Sequence, residues 1–371
     1  MGRPHTSAGT VAGFVLRLAR ESIPRTQSAM AEALGVDLNT WQGWESGRRP
    51  LAHMRVGALL ELRRRLPSLG ANPHLVGLLD AAMDADRIIS AGLTHNEHHA
   101  EHHNDQHGGP HPLAGWVHTR DTAHMLAWTL TGAVPPALAT AASASRRGPA
   151  PAAPLLAPAE RQVFFDRLRE SAEYAARQGE GGVLLHRQAL YLASYDRGPE
   201  AAAWTAQALH GRRDVLARRG FSPHWAEARS TATALARLGD PQPLLDFIER
   251  AVADDDTAEA ANLNYWAYWL GAYSVSQADD AFMRDRDLTG WDPVTLLRAL
   301  AHGIHLAPGY VDLYAHSLWS LLRAFPWLPQ AAGRIGDPLH EKVAELLDGA
   351  DLSERSRREL ASVAYVLRTT R

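Results

Sequence analysis

Four times in its C-terminal half the chain places an N-cap residue directly before a proline, at Ser222-Pro223, Asp240-Pro241, Asp292-Pro293 and Asp337-Pro338. Serine and aspartate satisfy the free N–H groups at a helix start, and proline is tolerated at the first helical position, where its missing N–H costs nothing. Between these marks run amphipathic stretches separated by short glycine-containing turns. No stretch alternates apolar and polar residues with Val/Ile enrichment, as a half-buried strand requires. From Ala159 onward the chain reads as helix after helix, and about ten helices joined by short turns predict an α-solenoid.

With 371 residues, the chain exceeds the roughly 250–300 residues that one hydrophobic core sustains, which predicts two to three domains. It has no cysteine, which excludes disulfides, thiolate metal sites and a thiol nucleophile. No run of about 18 apolar residues occurs, so no membrane span is expected. The opening residues MGRPHTSAGT lack an apolar stretch of the signal-peptide kind, so a cytoplasmic protein is expected. Lys342 is the only lysine; with the alanine richness this reflects the composition of a GC-rich genome, not special arginine chemistry.

The net charge of −3 conceals an asymmetry. Residues 1–70 carry ten arginines against five acids, a net +5, and the remaining residues carry −8. A basic first segment joined to an acidic remainder points to a polyanionic partner for the first 70 residues.

That segment is built of short helices. Val11, Phe14, Val15, Leu18 and Ala19 recur at helical spacing in a helix that ends near Ile23-Pro24. Thr26 is a plausible N-cap for a second helix reaching Leu34, and Gly35 supplies the positive φ of a tight turn. Asp37 then caps a third helix, Leu38 to Glu45. Leu51–Leu66 and His74–Ala91 complete a bundle of five short helices, with Pro67 to Pro73 as the break between the last two. Two helices joined by a short glycine-containing turn have the form whose second helix fits the DNA major groove.

The stretch TQSAMAEALGVDLNTWQGWESGRRP resembles the lambda-repressor/Cro (XRE) helix-turn-helix family. Gln27, Ala31, Leu34, Gly35, Val36, Trp44, Glu45, Gly47 and Pro50 match or nearly match its pattern, over about 60 residues of the chain. The resemblance and the chemistry together assign roles. Leu38, Asn39, Thr40 and Gln42, on the first turns of the third helix, are the candidates for reading bases, and Asn and Gln pair with adenine through two hydrogen bonds. Gln27, Arg48 and Arg49 are the candidates for phosphate. By the family pattern, Arg20 and Glu45 form a structural ion pair. Trp41 and Trp44 are expected in the core facing helix one, and Arg63-Arg64-Arg65 on a solvated face. Two residues depart from the pattern. Gly43 lies inside the recognition helix, where it costs about 1 kcal/mol relative to alanine; it either brings backbone close to DNA or weakens the helix. Leu38 is apolar where the family often presents a polar base reader, and would instead meet a thymine methyl.

Seven histidines fall between residues 95 and 111, and the pairing of His98, His99, His102 and His103 at spacings of four gives workable metal-ligand geometry on a helix. The same segment is low-complexity with almost nothing apolar to pack, and reads first as a solvated insertion, with a metal site or a pH-sensitive segment as alternatives. The expected organisation is therefore 1–92 (helix-turn-helix domain), 93–112 (histidine-rich insertion), 113–140 (short helical connector), 141–158 (Ala/Pro-rich linker) and 159–371 (helical sensor or oligomerisation domain).

Within the last segment, residues 299–314 resemble a tetratricopeptide-repeat junction, with Ala299, Gly303, Ile304, Leu306 and Pro308 in its small, apolar and proline positions. The run from Asn262 to Tyr273 is the aromatic focus. It reads either as inter-helix packing or as an effector groove formed by Asn262, Asn264, Tyr265, Trp266, Trp269 and Tyr273. Phosphate-loop, dinucleotide, serine-elbow and zinc-protease motifs are absent, and the acid runs Asp254-Asp255-Asp256 and Asp279-Asp280 read as caps. The sequence thus predicts an all-α, non-enzymatic protein with an N-terminal five-helix bundle and a tetratricopeptide-like α-solenoid. As a transcriptional regulator it would be nucleoid-associated and bind double-stranded DNA as a homodimer, with a peptide or small-molecule effector and no cofactor. The C-terminal domain would make the two-fold contact. The alternatives are an interaction scaffold whose helix-turn-helix no longer reads DNA, and a metal-responsive regulator using the histidine run.

Overall fold

The structure is a computed structural model that describes residues 8–94, 119–139, 151–275, 277, 279–304, 307–331, 336–349 and 352–369. Among these residues every regular element is a helix, so the fold is all-α. No described helix is long and apolar enough to cross a membrane. The histidine run, including His98, His99, His102 and His103, lies outside the described residues.

The chain divides into two compact units, 1–192 and 193–371. In the first, α1 (Thr10–Glu21) buries Val11, Phe14, Val15 and Leu18 on one face, at the i, i+3, i+4, i+7 spacing of an amphipathic helix. Its preceding residue, Gly9, has no side chain to cap it. The cap comes instead from Asp86 on α6 (Leu79–Thr94), whose two carboxylate oxygens accept from the N–H groups of Val11 at 3.0 Å and Ala12 at 2.9 Å. α2 (Gln27–Leu34) and α3 (Leu38–Glu45) follow, with Gly35 left-handed at φ 69° between them.

The next two expected helices are each broken in two. Met54 and Arg55 are extended, so Leu51–His53 is an isolated 3-10 turn ahead of α4 (Val56–Ser68). Pro67 lies inside the last turn of α4 rather than at the break; the chain reverses at Gly70, with φ 102°. Asn72 then caps α5 (Pro73–Gly77), and α6 starts after Leu78.

The expected connector and linker belong to this first unit. α7 (Arg120–Thr131) sets Trp128 edge-on against Phe14, with ring centroids 4.9 Å apart. Pro151 accepts a hydrogen bond from Arg17, and the buried Leu156 donates its N–H to Thr129. α8 (Pro158–Arg177) buries Phe164, Phe165 and Leu168 and packs on α6. α9 (Val183–Ala193) completes the unit. The two compact units divide near residue 192, so the expected linker at 141–158 falls within the first of them.

The second unit runs through α10 (Pro199–His210), α11 (Arg213–Leu216), α12 (Trp225–Arg237), α13 (Gln242–Ala251), α14 (Asp256–Trp269), α15 (Pro293–Gly303), α16 (Tyr310–Ala324), α17 (Leu328–Ala331), α18 (Gly336–Gly349) and α19 (Glu354–Thr369). Trp225, Phe247 and Ile248 form one core where α12 meets α13. Leu263, Leu296, Leu318, Val343 and Leu360 anchor a second among α14, α15, α16, α18 and α19. The helix-start marks act unequally. Asp292 caps α15 by accepting from Val294 and Thr295, whereas the N-cap positions before α12 and α13 are His224 and Pro241, neither with a side-chain cap.

Candidate nucleic-acid interface

Glu45 is the centre of the α1–α2–α3 arrangement. It is 8% exposed, and its two oxygens collect four donors from three helices. Arg20 Nε and Nη2 on α1 donate at 2.5 and 3.3 Å, Gln27 Nε2 at the start of α2 at 2.5 Å, and Trp41 Nε1 one turn earlier on α3 at 2.9 Å. Arg20 also donates to the carbonyl of Arg25, tying down the loop that leads into α2. Breaking a buried, hydrogen-bonded charge pair of this kind strands a charge and costs about 3–5 kcal/mol, so the hub fixes the angle at which α3 is carried.

Glycines complete the seat. A Cβ on Gly13 would stand 2.5 Å from the carbonyl oxygen of Trp44, and one on Gly9 would stand 2.7 Å from that of Gly47. Backbone meets backbone where α1 crosses the end of α3. Only Gly47 of these three was singled out from the sequence, through the family pattern.

α3 begins where the sequence places it. Asp37 accepts from the backbone N–H of Thr40 at 2.8 Å and also from its hydroxyl, and that hydroxyl holds the Asp37 carboxyl below its ordinary range. At about 100° per residue, buried Trp41 and Glu45 mark the inner face of α3. Asn39, Gly43 and Ser46 then lie on the opposite, outer face, with Thr40 at its edge.

The predicted readers divide accordingly. Asn39 is exposed; Leu38, seven residues before Glu45 and so on the same side of the helix as that inner residue, is 40% exposed at the helix start. Thr40 is engaged with Asp37 and with Arg49, whose Nη1 donates to its hydroxyl at 2.5 Å. Gln42 is half-buried and donates to Gln27 Oε1 at 3.3 Å. Gln27, expected at phosphate, has its side-chain amide turned inward between Glu45 and Gln42, because a buried carboxylate is the stronger acceptor within its reach. Arg48 is exposed, with Nε on Ser46 Oγ. The arginine run on α4 is not a uniform solvated face. Arg65 donates to the carbonyls of Ala33 and Leu34 at the end of α2, and Arg63 pairs with Asp80 at 3.0 Å.

In the second unit the candidate effector groove is packed. Asn262 and Asn264 are fully buried. Asn264 Nδ2 donates to the carbonyls of Phe282, Met283 and Asp285, and its oxygen accepts from Trp291 Nε1 at 2.8 Å and from the Tyr273 hydroxyl. Asn262 donates to Ser317 on α16, which also accepts from Trp266 Nε1. Tyr265, Trp266 and Trp269 are half-buried, with Tyr265 and Trp266 facing the Arg229 guanidinium at 3.9 and 4.5 Å. Tyr273 is 9% exposed and packs edge-on against Phe282. The amide groups of both asparagines clasp loops and helices within the core, and Asn262 Oδ1 is buried with no hydrogen-bond partner.

Among the described residues no group of three or more His, Asp or Glu side chains is arranged to hold a metal. The chain matches no protein-family model, no curated protein and no solved structure in the comparisons made.

Proposed function

We propose that the protein is a sequence-specific DNA-binding transcriptional regulator of the helix-turn-helix type. The observation that carries this reading is the locked orientation of α3. A buried carboxylate gathers four donors from three helices, leaving the outer face of an eight-residue helix to present Asn39 to solvent, with Arg49 laid over that face at Gly43 and Arg48 exposed just beyond the helix. A rigid eight-residue helix in a net-basic segment suits insertion into a major groove, where side chains at its first turns meet base edges. The acidic remainder keeps the rest of the chain off the polyanion. A second copy is part of the proposal, because a reader of about 70 residues buries too little DNA surface for tight binding alone. The tetratricopeptide-like reading of residues 159–371, and an effector or partner for them, belong to the same proposal. Its effector surface excludes the buried Asn262 and Asn264.

The test is binding of the full chain to a random DNA pool with rounds of enrichment. Recovery of a two-fold motif with half-sites about one helical turn apart supports the reading. An unenriched pool sinks it and favours the scaffold alternative.

A further inference from the structure

Gly43 is the residue of α3 that local propensity argues against, and it sits on the outer face, opposite Trp41 and Glu45. An outward glycine should be open to solvent, yet Gly43 is buried. The cover is Arg49. A Cβ on Gly43 would meet Arg49 Cδ at 2.9 Å, Cγ at 3.0 Å and Cβ at 3.4 Å. The Arg49 backbone N–H donates to the Gly43 carbonyl at 2.9 Å, closing the chain back onto the helix. Beyond the stem, the guanidinium reaches Thr40 Oγ1 at 2.5 Å, and Thr40 in turn bonds the Asp37 N-cap. Arg49 therefore leaves the chain past the end of α3, runs back along the gap that glycine opens, and ends at the first turn of the helix.

We infer that Arg49 is a base-reading residue, delivered through the Gly43 gap to the position a side chain at residue 43 would otherwise occupy, and that it selects a guanine. A planar guanidinium matches the two acceptors, O6 and N7, that guanine presents in the major groove. An arginine meant for phosphate needs no gap in the helix face, whereas here the stem is laid along that face and one guanidinium nitrogen is held on Thr40 Oγ1, leaving the rest of the fork to meet a base edge. A base reader gains the pre-organisation that discrimination requires. This inference rests on the DNA-binding reading above and assigns Arg49 a role other than the phosphate contact expected from the sequence.

The test uses the full chain and the duplex enriched by it from a random pool, with every single-base-pair variant of that duplex, read by fluorescence anisotropy over a salt series. Arg49→Ala should abolish the preference at one G·C pair, about tenfold or more, and leave the preferences at other positions intact. Arg49→Lys should weaken the same preference, because an ammonium lacks the planar fork, while keeping the salt dependence of wild type. Gly43→Ala should reproduce the loss with thermal stability undiminished, because alanine favours the helix but its methyl displaces the arginine stem. A uniform loss on all duplexes with Arg49→Ala, with the salt slope lowered by about one, identifies a phosphate contact and overturns the inference while leaving the DNA-binding reading intact. Failure to enrich any sequence overturns both.

Discussion

Arg20 on α1 and Glu45 at the end of α3 are joined by two hydrogen bonds, of 2.5 and 3.3 Å, across the crossing of the two helices. Their side chains are 11% and 3% exposed, so the pair is removed from the screening that makes surface ion pairs weak. Glu45→Gln removes the charge and retains the shape, leaving the Arg20 guanidinium only the longer, more exposed contact with Glu21 at 3.4 Å. The expected loss is about 3–5 kcal/mol of unfolding free energy in urea titrations. A loss below about 1 kcal/mol would mean that the hub is not what carries α3.

Gly13→Ala tests the same crossing without touching charge. The added methyl would collide with the backbone of Trp44 and Glu45, neither of which can rotate away. Overpacking of this kind costs about 1–3 kcal/mol. Gly57→Ala, on the exposed first turn of α4 with nothing within 4 Å of the new Cβ, is the matched control and should be neutral or stabilising. Thermal unfolding of the two variants side by side decides the matter.

Asp86 caps α1 from a buried position, and burial pushes its carboxyl up to about 7, against the pull of the Ala12 and Val11 N–H groups. The ordinary value of 3.8 applies once the chain unfolds. Below the ordinary value both states hold the proton. As pH rises toward 7 the unfolded chain releases it and the folded chain keeps it, so this group's contribution to stability falls with rising pH and levels off above about 7. Asp86→Asn cannot titrate. Wild type should therefore lose stability relative to that variant between about pH 4 and 7, by at most roughly 1.4 kcal/mol per pH unit. A difference that does not change with pH would contradict the shift.

Asn264→Ala should strand the carbonyls of Phe282, Met283 and Asp285 and the indole N–H of Trp291. Each buried group left without a partner costs about 1–3 kcal/mol, so the second unit should unfold at distinctly lower denaturant. Retained stability would return Asn264 to the list of ligand-facing residues.

What the sequence made legible was local. The bounds of α3 follow from Asp37 and the left-handed Gly35, a few residues apart, and the structure starts and ends the helix at the same residues, Leu38 and Glu45. What escaped was carried by long-range contact. Asp86 caps a helix 75 residues away, and nothing near it in the chain marks it as a cap. Gly13 reads as an ordinary weak spot in α1 until the backbone of α3 is set against it. Asn262 and Asn264, polar and flanked by aromatics, look like ligand groups in one dimension; in three they are the internal partners of Ser317 and Trp291. Arg49 follows the helix in sequence and reads there as a phosphate contact; only in three dimensions does its side chain turn back over Gly43 to Thr40.

Sequence reading by the outer face of α3, as proposed, turns on Asn39, its exposed residue. The most direct measurement is anisotropy titration of wild type and Asn39→Ala against the enriched duplex and a scrambled one at fixed salt. Asn39→Ala should bind the enriched duplex more weakly, by about 1–3 kcal/mol, with binding to the scrambled duplex unchanged. Equal losses on both duplexes, or none on either, would contradict it.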